Sequence, residues 1–325
     1  MDKLKQLQIQ QYFRRYYFTI LNEPVLDFDY HNINSFKHRA TVNKIETISV
    51  QGWRPTNEDN ISVTQLNNNI LAVVFDGHGG DWVANYCREF YSDIFFNTVE
   101  YQCGNYREAF KKANKLMDLK LFNEEPSVMF EYARSKLTKQ LFKYRCTFKN
   151  NRYNHSNQCG CTCCAVLITD NEIICSNIGD SKAIAFSDKH LSTLNEEHKL
   201  INEKELDRLR KNGFEIIDGR LGGSLNVVRG FGDFEFKSMS YLDDENLQGV
   251  LNVPEVLSFP KSLYKHIIIG CDGLWDCYNE EECRKKILNN IDLKELAKSC
   301  IQNEHILITN EPKGYDNVSI ISIFL

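Results

Sequence analysis

From residue 41 onward the chain alternates between two hydrophobic patterns. Short β-type runs cover residues 44–51 (KIETISVQ), 69–76 (NILAVVFD), 161–170 (CTCCAVLITD), 172–180 (EIICSNIGD), 182–188 (KAIAFSD), 266–272 (HIIIGCD) and 317–325 (NVSIISIFL). Their length and their Asp, Asn and Gly boundaries predict strands, and the continuously apolar ones predict cover on both faces. Between them, residues 82–99, 106–122, 127–143 and 280–303 carry apolar side chains every three or four positions with charges in between, which predicts amphipathic helices. Strands, then helices, then more strands and a terminal helix pair predict an α+β fold rather than strict βαβ alternation. Residues 147–158 and 238–252 read as polar loops, and 191–220 mixes loop with a short helix, NEKELDRLRK. Without an internal repeat or a Pro/Ser-rich linker, residues 41–325 are expected to form one catalytic-size domain. Residues 1–40 crowd aromatics such as Tyr12, Phe13, Tyr16, Tyr17 and Phe18 without a strict period, and are expected to be an extension that packs on the body or on a partner.

Composition narrows the class. With 325 residues and 42% apolar content the chain can bury a large core. Its 39 basic against 44 acidic residues leave a net charge of −5, which gives no reason to expect a nucleic-acid partner. No stretch approaches the ~20 apolar residues of a membrane span, and Asp2 stands where N-myristoylation needs Gly. Twelve cysteines in a chain with no apolar leader are expected to be reduced thiols of a cytoplasmic or nuclear protein.

The informative feature is where the aspartates sit. Asp76 ends one apolar run, Asp180 and Asp272 close two others, and Asp316 precedes the last. One such Asp is usually a turn former. Four of them, on strands running in opposite directions, can meet at one edge of a sheet, where their charges repel unless cations neutralise them. An all-oxygen cluster suits hard ions such as Mg²⁺ or Mn²⁺. Nearby, Asp76-Gly77-His78-Gly79-Gly80 offers a carbonyl that can face a metal and an imidazole that exchanges protons near neutrality. Arg54-Pro55-Thr56-Asn57-Glu58-Asp59 adds two acids and a fork-shaped cation for phosphate.

These motifs resemble those of the type 2C, metal-dependent protein serine/threonine phosphatases. The likeness also runs, in order, through Gly160-Cys161-Thr162, Gly179-Asp180-Ser181-Lys182-Ala183, Glu197-His198-Lys199, Gly223-Ser224 to Gly232-Asp233, Pro254-Glu255-Val256, Cys271-Asp272-Gly273-Leu274-Trp275-Asp276 and Asp316-Asn317-Val318-Ser319. The resemblance implies a β-sandwich of two antiparallel sheets flanked by antiparallel α-helices, with two metal ions at one end. It implies that Asp76 bridges both ions, that the Gly77 carbonyl completes one site, that Glu58, Asp272 and Asp316 bind the other, and that Asp59 holds metal-bound waters. Asp180 and Asp276, with Asp272, match a weaker third position found in part of the family. The implied chemistry is attack of a metal-bridging hydroxide on phosphoserine or phosphothreonine of protein substrates, without a phosphoenzyme. In it Arg54 clamps the phosphate and His78 protonates the departing oxygen. Residues 191–220 correspond to a variable flap. The family usually has Arg where Lys182 stands and Ala-Leu where Gly230-Phe231 stands. A monomer is expected.

Three rivals compete. Cys146 and Arg152 have the bare spacing of a thiolate phosphatase, but the segment between them has no glycine to build a phosphate-cradling loop. Cys159, Cys161, Cys163 and Cys164 lack the CxxC spacing of structural zinc and read as strand packing. A phosphoprotein-binding scaffold without catalysis is the third, disfavoured because Glu58, Asp76, Asp272 and Asp316 are all retained.

Overall fold

A computed structural model describes residues 24–33, 44–123, 159–237, 247–301 and 314–325. The helix expected at 127–143, the loop at 147–158 and the pair Cys146 and Arg152 lie outside the described residues. The first part of the chain forms β1 (Val25–Ile33), β2 (Lys44–Gly52), β3 (Asn60–Leu66), β4 (Asn69–Phe75) and β5 (Gly77–His78), followed by α1 (Trp82–Phe96), α2 (Val99–Gln102) and α3 (Tyr106–Asn123). Next come β6 (Gly160–Cys161), β7 (Cys163–Ile168), β8 (Glu172–Ile178), β9 (Lys182–Phe186), β10 (Leu191–Thr193), α4 (Glu203–Lys211), β11 (Ile216–Ile217), β12 (Arg220–Leu221) and β13 (Phe231–Gly232). The chain closes with β14 (Glu255–Pro260), β15 (His266–Gly270), α5 (Asp272–Trp275), α6 (Glu280–Leu288), α7 (Leu293–Ile301) and β16 (Val318–Phe324).

Two large sheets, ordered β1-β2-β16-β15-β9-β10 and β14-β8-β7-β4-β3, are antiparallel throughout. The period-two alternation of β4 shows how the layers stack. Ile70, Ala72 and Val74 point into the space between the sheets, where they join Ile45, Ile267, Ile269 and Ile321. Leu71, Val73 and Phe75 point the other way, against Tyr91, Phe95, Phe110 and Met117 of α1 and α3. On the far side, Ile48, Val50, Ile268 and Ile320 pack under Leu274, Leu296 and Ile301 of α5 and α7. Helices therefore cover both outer faces of the sandwich, the α+β layering expected. Central strands buried on both faces have no polar side to alternate with, which is why they read as unbroken apolar runs.

The differences lie at the edges. β1, inside the stretch expected to pack on the body or on a partner, lies on the body as a strand: it pairs with β2, and its Leu26, Phe28 and Tyr30 pack on the α5–α7 side of the sandwich. β3 and β14 also went unanticipated, because partly exposed edge strands such as NISVTQL carry few apolar residues. The terminal helix pair is the one expected, α6 and α7, and the two part around Asn290, whose backbone turns left-handed at φ 60°. Around α4, Leu200 and Leu209 of the expected flap pack with Leu221, Val228 and Val250 beyond it in a small separate core.

Candidate active site

The topology brings the acidic residues to one pole. Asp76 leaves the end of β4, which pairs with the start of β3 through Phe75 and Asn60, so Asp59 lies beside it. Gly270 of β15 pairs with Ile320 of β16 on one side and Lys182 of β9 on the other, so Asp272, Asp316 and Asp180 emerge at the same end. Carboxylate oxygens of Asp76, Asp180 and Asp272 lie within 4.8 Å of one another, and so do ligand atoms of Asp59, Asp76 and Cys271. Asp276 follows one turn after Asp272, its N–H donating to the Asp272 carbonyl at 2.7 Å.

Electrostatics fit a cation. Burial, and then the charge of Asp272, holds the Asp76 carboxyl well above its ordinary range, and burial with Asp316 and Asp180 does the same to Asp272. Asp59 is pushed up to about 7 by burial and by Asp316, and its Oδ2 has no hydrogen-bond partner among the described residues. A buried orphan oxygen beside mutually repelling carboxylates is what a divalent ion, or water bound to it, would satisfy. The donor set is oxygen. Cys271 is the exception, but burial keeps its thiol protonated and it donates to the Asn317 carbonyl at 3.4 Å, which leaves it a poor ligand.

Glu58 lies outside both tight clusters. Its carboxylate accepts from Thr56 Oγ1 at 3.3 Å, and its N–H donates to Asn317 Oδ1 at 3.0 Å. Arg54 Nε stands 3.3 Å from Asp316 Oδ1, and the charges of Asp316, Glu58, Asp272 and Asp76 together outweigh burial and raise its pKa. Gly77 crosses so close to the Glu58 carbonyl that a side chain there would overlap it. His78 Nε2 donates to Asp233 Oδ2 at 2.8 Å; burial lowers its pKa, but the charges of Asp233, Asp180 and Glu58 and the Asp233 hydrogen bond together outweigh it and the net direction is upward.

Several residues that shape the site stand in the sequence motifs above without a role assigned to them. Asn317 is one, and Asp233 is another. A third is Lys199, whose ammonium lies 3.7 Å from Asp180 and 3.1 Å from Glu197. Glu197 in turn meets Lys182 at 3.1 Å, and Lys182 reaches Glu280 at 2.9 Å, so Lys182 is ion-paired on two sides.

The family model described as Protein phosphatase 2C matches residues 43–305. The chain belongs to the protein phosphatase 2C family. Protein phosphatase 2C 1 of Paramecium tetraurelia is 28% identical over 287 residues, covering 85% of this chain and 90% of its own. A rice relative, Probable protein phosphatase 2C 11, is 30% identical over 311 residues, with 86% and 84% covered. A solved serine-threonine phosphatase 2C from Toxoplasma gondii shares the fold at TM-score 0.65 and 14% identity, covering 91% of this chain and 98% of that one. As a member of the protein phosphatase 2C family, the chain is a serine/threonine phosphatase.

Proposed function

We propose that this phosphatase hydrolyses phosphoserine and phosphothreonine in proteins at the acidic pole, with Mg²⁺ or Mn²⁺ as its cofactor. The observation that carries the reading is the meeting of Asp76, Asp180 and Asp272 beside Arg54. Asp76, the Gly77 carbonyl, Glu58, Asp272 and Asp316 would hold two ions, with Asp59 oriented toward their waters, and Asp180, Asp272 and Asp276 a third. Bound there, divalent ions supply an activated water and neutralise phosphate charge. The chain's own groups do the rest. Arg54 grips the phosphate oxygens in the transition state, its guanidinium exchanging Asp316 for the substrate. His78 delivers a proton to the departing serine or threonine oxygen. No residue is needed as a covalent nucleophile. A monomer in cytoplasm or nucleus suits a protein whose described cysteines are free and mostly buried.

The decisive experiment measures phosphate release from an aryl phosphate and a phosphothreonine peptide, with Mn²⁺ and with chelator, for wild type and Asp272→Asn. Metal-dependent turnover that the substitution reduces by about 10²-fold or more is expected. Turnover in chelator, or an unaffected variant, would sink the mechanism, and an inactive wild type would favour a phosphoprotein-binding scaffold.

A further inference from the structure

Asp233 is a buried acid with an uncommon backbone. It takes the left-handed conformation, φ 50° and ψ 41°, which costs a non-glycine residue roughly 1 kcal/mol or more. The preceding Gly232 is also left-handed, at φ 74°. Such a turn persists only where its surroundings enforce it.

The enforcing group is on α3. Asp118 is fully buried; its Oδ1 accepts the Gly232 N–H at 3.0 Å, and its Oδ2 accepts from Lys237 Nζ at 2.7 Å and from Asn252 Nδ2 at 3.0 Å. Lys237 then closes the ring by donating to the Gly230 carbonyl at 2.9 Å. Both ends of the Gly230–Asp233 turn thus hang on one buried ion pair, and the Asp233 N–H is tied to the Cys159 carbonyl at 3.0 Å. The result aims the Asp233 carboxylate across Gly160 at His78. Gly160 has to be glycine, because a methyl there would overlap that carboxylate and stand 2.7 Å from His78 Nε2.

We infer that Asp233 is the positioning residue of the general acid: it takes the Nε2–H of His78, so that Nδ1 is the nitrogen presented to the leaving group, and the buried Asp118–Lys237 pair holds it in that pose. The inference rests on the reading of His78 as general acid. In the step concerned, water forms the new P–O bond while the P–O bond to serine or threonine breaks. The proton on His78 Nδ1 passes to the departing oxygen, and the proton lost by the water replaces it. A histidine turned about its side chain would lose this alignment, as in other enzymes where a carboxylate fixes the imidazole.

Leaving-group dependence tests it. An aryl oxide departs without protonation, whereas a threonine alkoxide does not. Asp233→Asn should lower kcat on a phosphothreonine peptide about 30- to 100-fold and on p-nitrophenyl phosphate less than about 3-fold, the pattern expected of His78→Gln. The double variant should lose little beyond either single one, since the two residues act as a unit. Asp118→Asn should show the same discrimination at about 3- to 10-fold, which gives a second reading if Asp233→Asn does not fold. Equal losses on both substrates for Asp233→Asn and Asp118→Asn, with His78→Gln still selective, would overturn the positioning role and leave His78 as the acid. Equal losses for His78→Gln itself would remove the general acid and the inference with it.

Discussion

Asn317 ties the two halves of the acidic pole together: its Oδ1 accepts the Glu58 N–H at 3.0 Å, while its Nδ2 donates to the carbonyls of Gln51 at 2.7 Å and Thr56 at 2.9 Å. One buried amide next to Asp316 thereby fixes the loop between β2 and β3, which carries Arg54, Glu58 and Asp59. Asn317→Ala should leave at least one of those backbone groups unsatisfied, at about 1–3 kcal/mol of stability. Loosening the carboxylates should also raise the Mn²⁺ concentration for half-maximal activity about 10- to 100-fold. A thermal melt and a metal titration of phosphate release check both, and an unchanged metal requirement would argue that the loop holds itself.

The acids Asp76, Asp180, Asp272 and Asp316 were legible in the sequence because each interrupts or precedes an apolar run, and a carboxylate at a strand end is visible without knowing its neighbours. Asp118 and Lys237 were not, and Asn317 and Lys199 were visible only as motif members without a role, since the meaning of all four lies in partners far away along the chain. Lys237 finds Asp118 119 positions back, a pairing no local pattern announces. Edge strands were lost for a related reason: β3 and β14 have one face open, so their apolar content falls toward that of a loop. The packing of Cys161, Cys163 and Cys164 is legible for the opposite reason, because they sit in apolar strand runs, and all three are buried in the core.

Repulsion among the acids predicts how metal affects stability. With burial and neighbouring charges holding Asp76 and Asp272 well above the ordinary carboxylate range, their ionisation at neutral pH opposes folding in the absence of metal. Chelator should lower the melting temperature by several degrees, reversibly on adding Mn²⁺. Asp76→Asn should raise the melting temperature in chelator and lose most of the metal-induced shift. A variant that melts lower than wild type in chelator would contradict this account.

Lys199 sits where a third ion would bring its charge. Its pKa is raised, since Asp180, Glu197, Asp272 and Asp276 together outweigh the burial that pulls the other way. An ion on Asp180 and Asp272 has to displace the ammonium, which keeps Glu197 at 3.1 Å as its alternative partner. Lys199→Met should therefore tighten the weakest Mg²⁺ binding by about tenfold, near 1.4 kcal/mol. Titration calorimetry reads this directly, and unaltered affinity would show that the lysine does not compete.

His198 makes stability depend on pH in a defined window. Its Nδ1 accepts the Gly179 N–H at 3.3 Å, its backbone N–H donates to the Gly179 carbonyl at 2.9 Å, and its side chain is buried. Burial, reinforced by Arg229, pulls its pKa down from 6.5 to about 3. Between those values the unfolded chain binds a proton that the folded one refuses, so this contribution rises with pH and is lost on acidification below 6.5. The slope approaches about 1.4 kcal/mol per pH unit. Comparing His198→Asn with wild type at each pH cancels the opposing titration of the raised carboxylates. The substitution should cost about 1–2 kcal/mol at pH 7.5 through the lost hydrogen bond. By pH 5 the wild type should have given up about 2 kcal/mol that the variant keeps, so the difference should shrink to nothing or reverse. Denaturant melts at the two pH values decide the matter: a gap that stays constant would mean that His198 is protonated in the folded protein.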